Sequence, residues 1–404
     1  MIPDHGSMVL DDIGLLVTND PALGEGPLGV VRNASVVFEG GRVVSIGATG
    51  QAADRRLSAG GRCVVPGFVD SHTHLVFAGD RGDEFAARMA GRPYRAGGIK
   101  VSVGATRGAT DAQLRDLTTV RRDEARRAGI TSLEIKSGYG LDVRHEHRCL
   151  EIAGEFTGDT TFLGAHLVPA EFEGRTDDYV HLVCHEMLDA VRPHSKWVDA
   201  FCEVGAFDAD QSRAVLEAGR DVGLGMRLHA NQLGYGPGVQ LAVELGCASA
   251  DHCTYLTDAD IEALAGGSTV ATFLPAADFS TRQPYPDARK VIDAGATVAI
   301  ATNCNPGSSY TTSMSFCIAI AVRDMRMTPE EALLAATVGG AQALRRTDVG
   351  RLSVGMSADM VVLDAPSYTH LVYRPGVPLV HTVVEHGAVV VDDRRSVRSP
   401  GTQV

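Results

Sequence analysis

Two kinds of hydrophobic pattern divide the chain. Residues 9–65 carry short β-rich runs broken by Gly and Asp, as in GLLVT, ASVVFEGGRVVSIG and RCVVPG. The runs on either side of Glu39-Gly40-Gly41-Arg42 predict a hairpin between Ala34 and Ile46. A second β-rich patch returns at the far end in ADMVVLD, HTVVEHG and AVVVDD. Between about 66 and 345, short apolar runs alternate with amphipathic segments at helical spacing, as parallel βα units do. Helix signals support this reading. Asp208 can N-cap with Gln211 three residues on and Gly223 as the stop; Thr328 can cap with Pro329 in the first helical position and Glu331 completing the box; Thr110 and Thr257 open two more helices. Candidate strands fall near 66–76, 131–136, 161–166, 197–203, 224–229, 248–253, 269–274 and 297–302. Eight strands with intervening helices predict an α/β fold, a (β/α)8 TIM-like barrel over residues 66–345. The two terminal pieces, 1–65 and 346–404, are expected to pair into one small β-sandwich domain. Gly6-Ser7-Met8 resembles a cloning scar, so residues 1–7 are set aside from fold reasoning.

Composition narrows the class. With 404 residues, 44% hydrophobic and 22% charged, the chain reads as an ordered globular protein that needs no disulfide or metal merely to fold. The formal charge is −13, from 37 Lys and Arg against 50 Asp and Glu, which argues against nucleic-acid or anionic-membrane partners. An anionic ligand would need a local Arg or Lys to overcome that field. Eight cysteines (63, 149, 184, 202, 247, 253, 304 and 317) show no Cys-x-x-Cys pair and read as reduced thiols of a cytoplasmic protein. The N-terminus has no basic region followed by an apolar stretch, so no secretory signal is expected. No run reaches the roughly 18–20 apolar residues that cross a bilayer.

Against that background a few polar groups stand out. In VDSHTH, His72 and His74 are two apart on a candidate strand, so both imidazoles face one way and can share a metal. His-x-His alone also fits two solvated or packed histidines. Its position at the end of the first barrel strand favours chemistry. His229 in RLHANQ closes the fifth candidate strand, His252 in SADHC the sixth, and Asn303 in VAIATNCNPGSS follows the eighth. One histidine after an apolar run is usually packed. Polar groups at four strand ends converge on one rim of a barrel.

A strand-one His-x-His, a strand-five His, a strand-six His and a strand-eight acid are the pattern of the amidohydrolase superfamily. The strings PGFVDSHTHLVFAGDRGDEFAARMAG, EIKSGYGLD, TFLGAH, HANQL, SADHC and NPGSS resemble its imidazolonepropionase family, over residues 10 to 390. The resemblance implies metal-dependent hydrolysis of 4-imidazolone-5-propionate, a small-molecule substrate, to N-formimidoyl-L-glutamate in histidine breakdown. It implies one Zn2+ per chain, or Fe2+ or Fe3+, on His72, His74, His229 and residue 303, and a homodimer. His252 would orient or deprotonate the attacking water. Arg81 would clamp the propionate carboxylate, and Tyr94, Tyr139 and His166 would complete the pocket. By residue type alone, Arg81 reads also as a solvated loop charge and Tyr139 as a packed aromatic. Gln232 stands where some relatives carry Glu; it can bind a ring nitrogen and belongs with the catalytic set, but it is no base at neutral pH.

Asn303 departs from the pattern, which has Asp there. An amide gives a metal a neutral oxygen and takes no proton. Three readings stand: a substitution that traps substrate, a natural variant in which His252 alone takes the proton, or a chain turned to another substrate or to binding without turnover. Two alternative functions follow, a superfamily deaminase of a nitrogen heterocycle and a silent binder of imidazole-like acids. The deaminase would need a Glu where Asn231-Gln232 stands.

Overall fold

The computed structural model describes residues 6–92 and 98–392. Tyr94 lies outside the described residues. The chain divides into two compact units, Met1–Val69 with Ala125–Thr131 and Thr347–Val404, and Asp70–Glu124 with Ser132–Arg346.

In the first unit both chain ends build one sheet. Its strands run, from one edge, Ala388–Asp392, Val380–Glu385, Met360–Leu363, Cys63–Pro66, Met8–Val17, Val30–Glu39 and Arg42–Ala48, with Arg55–Ser58 paired off the path to Met8–Val17. The ends are joined where Val361 pairs antiparallel with Val65. The hairpin at Glu39 and Arg42 turns through Gly40 and Gly41, at φ 55° and 79°. Two successive left-handed residues are what a tight hairpin turn requires and what glycine adopts without strain. One face of the sheet buries a cluster that includes Leu10, Ile13, Phe38, Val64, Met360 and Val384.

The second unit is a curled parallel sheet. Its ladder order is Val298–Ile300, Val270–Phe273, Ser249–His252, Gly225–Ala230, Trp197–Cys202, Thr160–Ala165 and Ile135–Lys136. These strands are buried almost throughout, as parallel strands covered on both faces are. Capping boxes at Asp208 with Gln211 and Thr257 with Asp260 start the helices that follow two of them, and one at Thr328 with Glu331 starts the later helix Pro329–Leu334.

Two expected strands are broken, for one reason. The run expected at 66–76 gives Cys63–Pro66 to the first unit's sheet and keeps regular strand geometry only over Phe68–Asp70. The run at 131–136 splits at Glu134 into Ile130–Leu133 and Ile135–Lys136. The Glu134 carboxylate accepts from Thr73 N at 3.1 Å, while Thr73 Oγ1 donates to the Glu134 carbonyl at 2.5 Å. Side chains thus take places that a regular ladder gives to backbone. Residues 70–74 remain bonded on both flanks. Glu134 N and Lys136 N donate to the carbonyls of Asp70 and Thr73; on the other side His74 N donates to the Asn303 carbonyl and Asn303 N to that of His72, both at 3.0 Å.

All eight cysteines are unpaired, and among the described residues no helix is long and apolar enough to cross a membrane.

Asp278, on the helix Pro275–Thr281, is buried and accepts from Thr254 Oγ1 at 2.8 Å. Burial holds its carboxyl well above the usual carboxylate range, so the native state keeps a proton that the unfolded chain releases above pH ~4. Stability from this group is therefore complete at acid pH and declines as pH rises toward the native value. Asp278→Asn removes that titration. Its unfolding free energy from urea titration should gain on the parent's between pH 5 and pH 8, by up to about 1.4 kcal/mol per pH unit; a gap that does not change with pH would refute the protonated assignment.

Candidate metal centre

Charged residues set inside apolar strands form the support of the site. Lys136 Nζ lies 2.8 Å from Glu134 Oε1, 2.8 Å from Asp199 Oδ2 and 3.6 Å from Asp251 Oδ2, with all four side chains fully buried. Arg227 reaches Asp251 Oδ2 at 3.3 Å and donates to the carbonyls of Ser71 and Ala343, each at 2.7 Å. Buried charge persists only where it is paired. Burial alone would raise the Asp251 carboxyl, yet Arg227, His72 and Lys136 hold it well below the carboxylate range. Burial opposes the Lys136 ammonium as well, but Asp199 and Glu134 keep its pKa above the usual lysine value. Three carboxylates to two cations leave the group formally one charge negative.

Two of those carboxylates also grip imidazoles. His72 Nδ1 lies 2.7 Å from Asp251 Oδ2, and His229 Nδ1 lies 3.0 Å from Asp199 Oδ2. The Asp251 carboxylate, bonded to His72 Nδ1, fixes that ring's tautomer and leaves its Nε2 lone pair outward. Burial pushes His72, His74 and His252 well below the ordinary imidazole pKa, so these rings are neutral at pH 7. His72 Nε2 and His74 Nε2 stand 3.3 Å apart. One ring nitrogen each of His72, His229 and His252 falls within 4.8 Å of the others. His74 Nδ1, His252 Nδ1 and Asn303 Oδ1 are buried with no hydrogen-bond partner among the described residues. Nitrogens 3.3 Å apart match the edge of a tetrahedron around an ion at about 2.0–2.1 Å. Buried imidazoles, two of them set against carboxylates, are a donor set that fits a divalent metal.

The strand ends turn sharply. His252 and Cys253 have φ 82° and 50°, and Asn303 and Cys304 have 73° and 35°. Non-glycine residues are uncommon in this region and concentrate at working sites. Asn303 Nδ2 donates to Ser308 Oγ at 2.9 Å.

A small cavity is lined by Arg81, Tyr139, His166, Gln232, His229 and His252, with Asn305 and Ser308 beside them and Ile99, Leu167 and Phe201 as apolar wall. Among the lining residues Arg81 carries the permanent positive charge. Its guanidinium is held by Glu84, with Nε to Oε2 and Nη2 to Oε1 both at 2.8 Å, and Arg88 braces the same carboxylate at 3.1 Å. A Cβ on Gly98 or Gly307 would overlap this group, which explains the glycine in NPGSS. His166 donates from Nδ1 to the Gly138 carbonyl at 2.9 Å, and burial lowers its pKa to about 3. Tyr139 sits in a loop tied by the buried Glu146 carboxylate, which accepts from Gly138 N, Gly140 N and Leu141 N at 3.1, 2.7 and 2.8 Å.

The structure therefore brings Arg81, Tyr139, His166 and Gln232 to one cavity with His229 and His252. It sets His72, His74 and Asn303 against those imidazoles by the strand bonds described above. His252, expected to stand apart as the water-orienting group, lies as near to His72 and His229 as a ligand would. Sequence reasoning missed Glu134, Lys136, Asp199, Arg227 and Asp251. Their signal was present as lone charges inside EIK, WVDAF, MRLH and SADH. It also missed Glu146, which stands on an amphipathic helix and gives no such signal.

A sequence profile of the amidohydrolase family matches residues 63–390. The imidazolonepropionase of Salinispora tropica is 64% identical over 385 residues, 94% of this chain and 98% of the relative. That of Mycolicibacterium smegmatis is 63% identical over 386 residues, 95% and 98%. Among solved structures, a triazine hydrolase variant superposes with TM-score 0.78 at 19% identity, over 96% of this chain and 95% of its own. A zinc-bound adenosine deaminase from Xanthomonas campestris gives 0.72 at 20%, over 97% and 94%. At those identities the likeness is one of fold.

Lys136→Met should destabilise the protein by roughly 3–5 kcal/mol, because it strands buried carboxylates without their cation. Urea unfolding measures this. A loss under 1 kcal/mol would show that the cluster does not depend on the ammonium.

Proposed function

The chain belongs to the amidohydrolase family, among the imidazolonepropionases, and from this premise we propose that it opens the cyclic amide of 4-imidazolone-5-propionate to give N-formimidoyl-L-glutamate. The observation that carries the substrate is the cavity itself, where buried imidazoles stand with Arg81, the lasting cation among its described lining residues. A cyclic amide with a carboxylate tail calls for both. We further read the curled parallel sheet as a closed (β/α)8 barrel, since residues 70–74 bond to both of its flanks. The terminal sheet is read as a small sandwich, since its strands share one enclosed core.

His72, His74 and His229, with the Asn303 amide oxygen, would hold a divalent metal. Three imidazoles and an oxygen suit zinc and also accept iron. Bound there, the metal supplies Lewis-acid polarisation and a water of lowered pKa. The chain's own groups do the rest. Arg81, kept in place by Glu84, takes the propionate carboxylate in a charge-assisted pair. Tyr139 and His166 flank the ring, and Gln232 bonds a ring nitrogen without acting as a base. His252 orients the attacking water, takes its proton, and returns a proton to the ring nitrogen as the C–N bond breaks. Neutral His252 can accept that proton. Asn303 cannot, so the burden that a carboxylate would share falls on one imidazole.

Ring opening and metal content, followed side by side for this chain and for Asn303→Asp, test the reading. The Asp form should turn over faster by about 10²-fold or more, the usual worth of a positioned base. Equal rates would make the strand-eight carboxylate dispensable and His252 sufficient. Two metal-loaded forms that both bind but never open the ring would leave a silent binder, and no binding by either would remove the substrate. Arg81→Met should raise KM by roughly 10–100-fold with metal content unchanged; an unaltered KM would sink the carboxylate clamp.

A further inference from the structure

Helix Val143–Gly154 and the turn Arg192–His194 bring together a second set of metal-type ligands that the strand-end centre does not use. His147 and Glu151 stand four residues apart and so share a face of the helix. His147 Nδ1 lies 3.3 Å from Glu151 Oε2. His194 meets His147 with ring centroids 4.7 Å apart and planes at 80°. One ligand atom from each of the three lies within 4.8 Å of the others. The 3.3 Å separation again equals a tetrahedral edge around an ion at about 2.0–2.1 Å, and rings set at a steep angle can aim their nitrogens at one point where stacked rings cannot.

We propose that His147, Glu151 and His194 form a second divalent transition-metal site, which takes Zn2+, or Co2+ in its place, with water in the fourth position. Two imidazoles and one carboxylate select borderline ions over Mg2+ and Ca2+, which prefer all-oxygen shells. The elements that carry the ligands are anchored independently of any ion. Asp142 N-caps the helix by accepting from His145 N at 2.8 Å, and Glu146, Cys149, Leu150, Ile152 and Ala153 bury its inner face. The turn is fixed where the His194 carbonyl accepts from Thr160 Oγ1 at 2.7 Å. Arg148, beside His147 in the chain, is committed to the carbonyls of Ala109 and Thr106 at 2.9 and 2.6 Å, so it does not contest the cluster. The side chains of His147 and Glu151 are 36% and 50% exposed, which gives an ion free access. An ion held there staples the helix of one βα unit to the turn that feeds the strand Trp197–Cys202.

The full chain, equilibrated with Zn2+ and desalted, should retain one equivalent more than the double variant His147→Gln/His194→Gln. The difference is the readout, so it holds whether or not the strand-end centre is loaded. Co2+ should give a tetrahedral absorption band in the parent that the double variant lacks in part, and Glu151→Gln should bind the extra equivalent more than about tenfold more weakly. Added Zn2+ should raise the melting temperature of the parent more than that of the double variant, since the ion binds the folded form alone. Equal uptake by parent and double variant would overturn the site and reduce the contact of His147 with Glu151 to an ordinary helix-face pair. So would an extra equivalent that Glu151→Gln binds as tightly as the parent.

Discussion

The ammonium of Lys136 sits where two strands and the break at Glu134 each deliver a carboxylate, and neither party could be buried there without the other. Glu134, Asp199 and Asp251 would be driven to protonate in that interior, and a protonated Asp199 or Asp251 could not hold an imidazole in its working tautomer. Arg227 closes the group by tying Asp251 to the backbone of residue 71, immediately before His72. The chemistry of the rim is thus secured from beneath by an electrostatic knot and only secondarily by packing.

That knot also shapes the backbone. Glu134 spends its carboxylate on Lys136, on the Thr161 hydroxyl and on Thr73 N, and so interrupts two strands that apolar patterning alone would leave continuous. The interruption lets residues 70–74 satisfy both flanking segments while presenting two imidazoles. A similar economy holds Arg81. One carboxylate, Glu84, is shared by two guanidiniums, and glycines at 98 and 307 let the main chain close around them.

Much of this was readable in the residues. The alternation of apolar runs and capped amphipathic segments locates the six unbroken parallel strands within a residue or two, because capping and burial are local signals. The histidines at strand ends are legible for the same reason. Lys136, Asp199 and Asp251 are harder, since a charge inside an apolar run says only that a partner exists and not which strand supplies it. Glu146 is harder still. Its value lies in three backbone amides of a loop it does not adjoin in pattern, and only the fold shows them. The break at Glu134 escaped because periodicity counts side chains and does not see one of them replacing a main-chain bond.

Position 303 stands in the left-handed region, where asparagine and aspartate are the side chains best tolerated after glycine. The two are nearly the same size, and a hydroxyl at Ser308 can donate to one or accept from the other. The backbone therefore treats amide and acid as equivalent while the chemistry does not. Such a position is a fork in a lineage: descendants can lose or regain a proton acceptor without any change in the path of the main chain. Screens that rank homologues by likeness of shape would file both kinds together.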